Sequence, residues 1–229
     1  MFILFSSVPF ISTLSDVISS ISSQGILAKK ENPSMLMMFP ICILLNIIEY
    51  VPSYAQECSS RLIPFLFSYI SHSDLTIYCV YGFGVCAMFG GLEFDSVCGQ
   101  AVSILLGAAG ADQSAQAKLA LNLNEINVDN MKDNVYSSLF KIAIYKKNIL
   151  GIAAEQLLQF CFQNFPLNSD IEEAKAVHTL FIDLLVQKDL RLLGSNGRLE
   201  NLSQVPFFLF ICHSRQKKQF AYLFIYLKK

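Results

Sequence analysis

LTIYCVYGFGVCAMFGGL, Leu75–Leu92, runs 18 residues without a charge, and how it is read decides the fold. A run of this length raises the question of a bilayer span. Two features argue instead for a helix buried in protein. Gly82, Gly84, Gly90 and Gly91 interrupt the run, and Asp74 and Glu93 bracket it where a spanning helix favours basic or aromatic anchors. Leu75, Cys79, Gly82, Phe83 and Cys86 also recur at helical spacing, which marks a face packed on other helices. Each interior glycine costs up to about 1 kcal/mol relative to alanine, and close helix packing offsets that cost because two backbones can approach where no Cβ intervenes.

Outward from this segment the same periodicity recurs, and strand-like alternation does not. Ile41, Leu44, Leu45 and Ile48 share one helical face, as do Leu62, Phe65, Leu66 and Tyr69. Val97, Ala101, Ile104 and Leu105 form the next stripe, then Val135, Leu139, Ile142 and Ala143. Leu157, Phe160 and Cys161 open a last pair, completed by Val177, Leu180, Phe181, Leu184 and Leu185.

Start and stop signals punctuate these stripes. Ser73-Asp74 predicts an N-cap for the helix near Leu75, and Ser169-Asp170-Ile171-Glu172 reads as a capping box after Pro166. The second helices of successive pairs start near residues 36, 75, 131 and 170, a spacing close to the ~40 to 47 residues of HEAT-type repeats with one interval lengthened. The lengthening falls at 108–130, which is rich in Ala, Asn and Asp, lacks periodicity and predicts an inserted surface loop. The expected architecture is an all-α, HEAT-type α-solenoid of stacked antiparallel helix pairs over 36–205. An N-terminal helical segment at 1–35, an incomplete repeat, precedes it, and a divergent apolar and basic tail at 206–229 follows.

Charge and cysteine usage narrow the partners. Residues 1–206 carry 12 Lys and Arg against 18 Asp and Glu, a net of −6, whereas 207–229 carry five basic residues and no acidic one. An acidic body lacks the basic face that nucleic-acid binding needs and suits a basic protein partner. Seven cysteines, none in C-x-x-C spacing, signal neither a disulfide framework nor a zinc knuckle, and most occupy apolar helical positions.

No enzyme constellation emerges. His72, His178 and His213 are far apart in sequence and none has metal-ligand spacing. Gly82-Phe83-Gly84 does not continue into a dinucleotide fingerprint, and neither a phosphate-binding loop with its lysine nor a nucleophile elbow occurs. Neither a cofactor nor a metal is expected.

Tyr81-Gly82-Phe83-Gly84-Val85, with Gly90-Gly91 ending the helix, resembles a helix in the late repeats of the importin beta-3 branch of the karyopherin-beta family. Ile47-Ile48-Glu49-Tyr50 and Leu62-Ile63-Pro64-Phe65-Leu66 resemble the preceding helix pair. Asn134 to Ile142 lies where that family has an Asn-containing B helix. Pro166-Leu167-Asn168-Ser169-Asp170-Ile171-Glu172-Glu173-Ala174 resembles its Pro-Leu-x-x-Asp-x-x-Glu-Ala turn, and Leu193-Gly194 with Asn196 and Leu199 resembles the loop that follows. The likeness covers about residues 35 to 205. Family members are several times longer, and their amino-terminal repeats with the main Ran-GTP site have no counterpart here. Phe207–Lys229 does not continue the pattern and reads as a divergent last helix or a misread exon.

The resemblance implies a nuclear transport receptor that moves between cytoplasm and nucleus, binds basic protein cargo and nuclear-pore proteins, and performs no chemistry. Concave B helices would present its acidic groups, with Glu49, Glu93, Asp95 and Asp183 as candidate partner-binding residues. Two other classes stay open on sequence: a small multi-pass membrane protein, and a helical-repeat scaffold unrelated to transport.

Overall fold

A computed structural model of the chain describes residues 33–110 and 125–187, together with isolated helical positions at Ser12, Thr13, Asp16 and Ser20. Most of the segment at 1–35, the centre of the stretch read as an insertion, the end of the repeat region at 188–205 with its Leu193–Leu199 loop, and the whole tail at 206–229 lie outside the described residues. Among the described residues the fold is all-α, with no strand.

Over 33–110 and 125–187 the described residues form nine helices: α1 (Pro33–Tyr50), α2 (Ala55–Tyr69), α3 (Thr76–Phe89), α4 (Gly91–Asp95), α5 (Cys98–Gly110), α6 (Glu125–Tyr145), α7 (Lys147–Leu150), α8 (Ile152–Gln163) and α9 (Ile171–Val186). A 3-10 turn at Pro52–Tyr54 joins α1 to α2. Helix α5 extends through Gly110 and α6 begins at Glu125, so both helices reach into the stretch read as a loop at 108–130. The Ala-rich end of α5 and the Glu125–Asn130 entry of α6 carry no apolar stripe, which is why periodicity alone missed them.

Packing follows chain order. Helices α1, α3, α6 and α9 form a series in which each packs on the next, while α2 lies on α1 and α3, and α5 and α8 both lie on α6. Helix α6 is therefore the centre of the described core, touching α3, α5, α8 and α9. The described positions of the apolar stripes read from sequence face inward, and Ile41, Leu44, Leu45, Ile48, Leu62, Leu66, Leu139, Ile142 and Phe181 are buried in one cluster.

Helix α3 is buried on more than one face, and its glycines explain how. A Cβ on Gly82 would sit 2.9 Å from a Leu66 methyl and 3.3 Å from a Leu45 methyl, so Gly82 lets α1 and α2 close in. A Cβ on Gly84 would sit 2.7 Å from Ser138 Oγ and 3.2 Å from Ser138 Cα, so Gly84 lets the backbone of α6 approach. The seal is completed by Ser138 Oγ, which donates to the Val80 carbonyl at 2.7 Å. The uncharged run does not continue as one helix: Gly90 closes the last turn of α3 by donating its N–H to the Cys86 carbonyl, and Gly91 takes φ +57 to turn the chain into α4.

Two capping expectations change. Helix α3 starts at Thr76 with Leu75 as its cap residue, and neither Ser73 nor Asp74 caps it. Instead Thr76 Oγ1 donates to the carbonyls of Ile70 and His72, tying the helix start to the preceding turn. The box at 169–172 is displaced by one residue. Asp170 caps α9 by accepting from the Glu173 amide at 3.2 Å, and the Asp170 N–H is taken by Asp133 Oδ2 at 3.0 Å. Because a side chain from α6 satisfies that amide, Glu173 is released to serve elsewhere.

The far end of the core is aromatic. Phe140, Phe162, Phe165 and Phe181 bring α6, α8, α9 and the turn between them together, with ring centroids 5.3 to 6.4 Å apart. Such tilted and edge-to-face pairs add about 0.5–1.5 kcal/mol each to the area that the rings bury. His178 packs edge-on against Phe165 at 6.0 Å.

Among the described residues no single helix is long and apolar enough to cross a membrane. The segments Met37–Tyr50 and Pro52–Tyr69 together have the composition, but they are bent by 114°.

Candidate partner-binding groove

Helix α6 carries an unusual number of buried polar side chains, Asp133, Asn134, Ser137, Ser138 and Lys141, and Lys146 follows just beyond its end. Buried polar groups persist where they are paired, and each of these has its partner on a neighbouring helix or turn. Asp133 Oδ2 accepts from the backbone amides of Asn168 at 2.9 Å, Ser169 at 2.6 Å and Asp170 at 3.0 Å, holding the turn that leads into α9. Asn134 Nδ2 donates to Asp170 Oδ2 at 2.9 Å. Lys141 Nζ pairs with Glu173 Oε2 at 2.7 Å, with side-chain exposures of 6% and 10%, and Ser137 Oγ donates to the same oxygen.

The network extends to α3 and α1. Lys141 Nζ lies 5.2 Å from the centre of the Tyr81 ring, and the Tyr81 hydroxyl donates to Glu49 Oε2 at 2.9 Å. Burial, reinforced by the charges of Glu49 and Glu173, raises the Tyr81 phenol above its ordinary range, so it stays protonated and remains a donor. Glu49, Tyr81, Lys141, Glu173 and Ser137 thus link α1, α3, α6 and α9 across the whole series.

Above this network opens a groove of about 340 Å³, lined by Cys42, Leu45, Asn46 and Glu49 of α1, by Ile77, Tyr78 and Tyr81 of α3, by Asn134 of α6, and by Asp170, Glu172 and Glu173 at the start of α9. Four of the eleven lining residues are carboxylates and none is cationic, so the groove attracts positive charge. Its nucleophiles are quiet, because burial raises both the Cys42 thiol and the Tyr78 phenol. Among the described residues no group of three or more His, Cys, Asp or Glu could hold a metal.

The four residues expected to meet a partner are not gathered in one place. Glu49 lines the groove. Glu93 is exposed on the short helix α4. Asp95, also on α4, is drawn into an ion pair with Lys146 Nζ at 2.6 Å, where the same ammonium donates to the Gly91 carbonyl at 2.9 Å. Asp183 is exposed near the end of α9, close enough to Tyr145 for its charge to add to the burial that raises that phenol. Sequence reasoning missed Tyr78, Tyr81, Asn134, Asp170, Glu172 and Glu173 as groove residues. The available signal was the turn into α9, where Ser169–Glu172 was read as a capping box and 166–174 as a turn resembling the family's.

The described cysteines are free thiols, with Cys58, Cys79, Cys86, Cys98 and Cys161 buried and Cys42 half-buried. Burial pushes Cys79 up to about 12 and Cys58 up to about 11, so both act as small apolar core groups.

No protein-family model matches the chain, and no solved structure matches it.

Proposed function

We propose that this chain forms late repeats of a nuclear transport receptor of the importin-beta type: a HEAT-type α-solenoid that binds protein cargo and carries out no reaction of its own. Helices α1, α3, α6 and α9 would be the B helices lining its inner face, and α2, α5 and α8 the A helices of its outer face. The observation that carries the reading is the chain-order packing of α1, α3, α6 and α9, with an acid-lined groove opening across all four. Stacked helix pairs that contact only their neighbours create extended binding surfaces of this kind.

Basic protein cargo fits the acidic groove and the net charge of −6 over residues 1–206. Nuclear-pore proteins enter as partners through the family resemblance, as do cytoplasm and nucleus as compartments. The test is capture. Immobilised chain should retain basic import cargo and pore-repeat peptides in a salt-sensitive way, and should not retain an acidic protein of similar size. Equal retention of both, or of neither, would return the chain to the class of helical scaffolds unrelated to transport.

A further inference from the structure

The groove is more selective than an acidic surface. We propose that it is a subsite for one arginine side chain, presented by an exposed segment of a partner protein. This deepens the transport reading and depends on it only for the partner's identity.

Three observations combine. The volume of about 340 Å³ lies at the small end of ligand pockets and suits one long side chain better than a folded element. The charge is unbalanced where the groove opens. Glu173 is neutralised from beneath by Lys141, and Asp170 is spent on Asn134 and the Glu173 amide. Glu49, by contrast, uses one oxygen for Tyr81, and among the described residues its other oxygen has no protein partner. Glu172 is paired only with Lys175 on the exposed surface of α9, where both side chains are mostly solvated and the pair is weak.

The third observation is the remainder of the lining. Leu45, Ile77 and the protonated Tyr78 phenol form an apolar and aromatic wall, so an entering cation sheds water. An ammonium resists that loss because it is a compact, strongly hydrated charge. A guanidinium is planar and weakly hydrated, can grip a carboxylate with two N–H groups, and stacks on a ring. The groove should therefore prefer arginine to lysine, and its apolar wall would cover the side chain's methylenes.

The test uses the full chain with Nα-acetyl-arginine methylamide, its lysine analogue and its neutral citrulline analogue, followed by amide chemical shifts. Saturable shifts at Asn46, Tyr78 and Asn134 are expected with arginine, several-fold weaker binding with lysine, and none with citrulline. Glu49→Gln keeps an acceptor for Tyr81, and combined with Glu172→Gln it should weaken arginine binding at least fivefold without changing helical content. Equal affinity for lysine, or an unchanged affinity in the double variant, overturns the proposal. If arginine binds but basic cargo is not captured, the groove stands and the transport reading falls. If wild type and double variant capture cargo equally well, the transport reading stands and the groove is overturned.

Discussion

Replacing Gly84 by alanine should destabilise the chain, and the size of the loss follows from what the new methyl meets. It would lie 2.7 Å from Ser138 Oγ, 3.1 Å from Lys141 Cδ and 3.2 Å from Ser138 Cα. The backbone atom cannot rotate away, so α6 must retreat, and overpacking of this kind costs about 1–3 kcal/mol. Moving Ser138 Oγ instead would break its hydrogen bond to the Val80 carbonyl, worth about 1 kcal/mol and more if that carbonyl is left unpaired. Alanine's better helix propensity returns up to about 1 kcal/mol. The expected net loss is up to about 2 kcal/mol, or a fall of up to about 1 M in the urea midpoint for a slope near 2 kcal/mol/M.

Two companion substitutions make the test internal. A methyl at Gly82 meets only the ends of the Leu66 and Leu45 side chains, which can rotate, so Gly82→Ala should stay within about 1 kcal/mol of wild type. At Gly107 in α5 nothing lies within 4 Å, so Gly107→Ala should gain about 1 kcal/mol. Urea unfolding followed by circular dichroism should rank Gly107→Ala above wild type and Gly84→Ala last. If Gly84→Ala unfolds with wild type, close approach of α3 to α6 is not what Gly84 provides.

Other perturbations probe the polar network. Glu173→Ala leaves the Lys141 ammonium buried without its partner and should cost about 3–5 kcal/mol, whereas Lys141→Met with Glu173→Leu should recover most of that loss in the same denaturation assay. Asp133→Ala strips the shared acceptor from three amides of the turn before α9, and a loss of several kcal/mol is expected because hydrogen bonds to a charged group contribute about 1.5–3 kcal/mol each. Burial lowers His178 from 6.5 to about 4. Its unfolded form therefore takes up a proton before its folded form does, so this contribution is full above pH 6.5 and is lost as pH falls from there toward 4. His178→Gln should flatten the dependence of stability on pH between 7 and 5, and an unaltered slope would show that His178 is not its source. Gly151 adopts φ +56 and ψ −127, which only glycine tolerates, so Gly151→Ala should lower the melting temperature although nothing crowds the site.

The helices were legible where burial is one-sided. The stripes at Ile41–Ile48, Leu62–Tyr69 and Val177–Leu184 follow the 3.6-residue period, and their inward positions are buried or half-buried. Gly82 and Gly84 pointed to close packing because glycine in a helix interior carries a propensity cost that close backbone approach offsets. What stayed hidden was the second buried face of α3 and the whole polar face of α6. A serine, an asparagine or a lysine facing a partner inside the fold is written with the same letter as one facing water. Only the partner separates the two cases, and the partners of Ser137, Asn134 and Lys141 lie 32 to 36 residues away. The groove was half legible for the same reason. Glu49 was among the acidic candidates that the resemblance implied, while Asp170 and Glu172 looked complete as capping residues.

The grip of Asp133 on the turn before α9 also bears on chemical ageing. An asparagine followed by a small residue deamidates when the next backbone nitrogen attacks its side-chain carbonyl and closes a succinimide ring. In Asn168-Ser169 that nitrogen belongs to Ser169, and its N–H is held 2.6 Å from Asp133 Oδ2 while the flanking amides are held by the same oxygen. Ring closure requires the nitrogen to leave that carboxylate and swing toward its own neighbour, which the anchored turn resists. The Asn168 side-chain amide, which ring closure would expel as ammonia, should thus outlast that of the same dipeptide in an unfolded chain, with the clock restarted whenever α6 and α9 part.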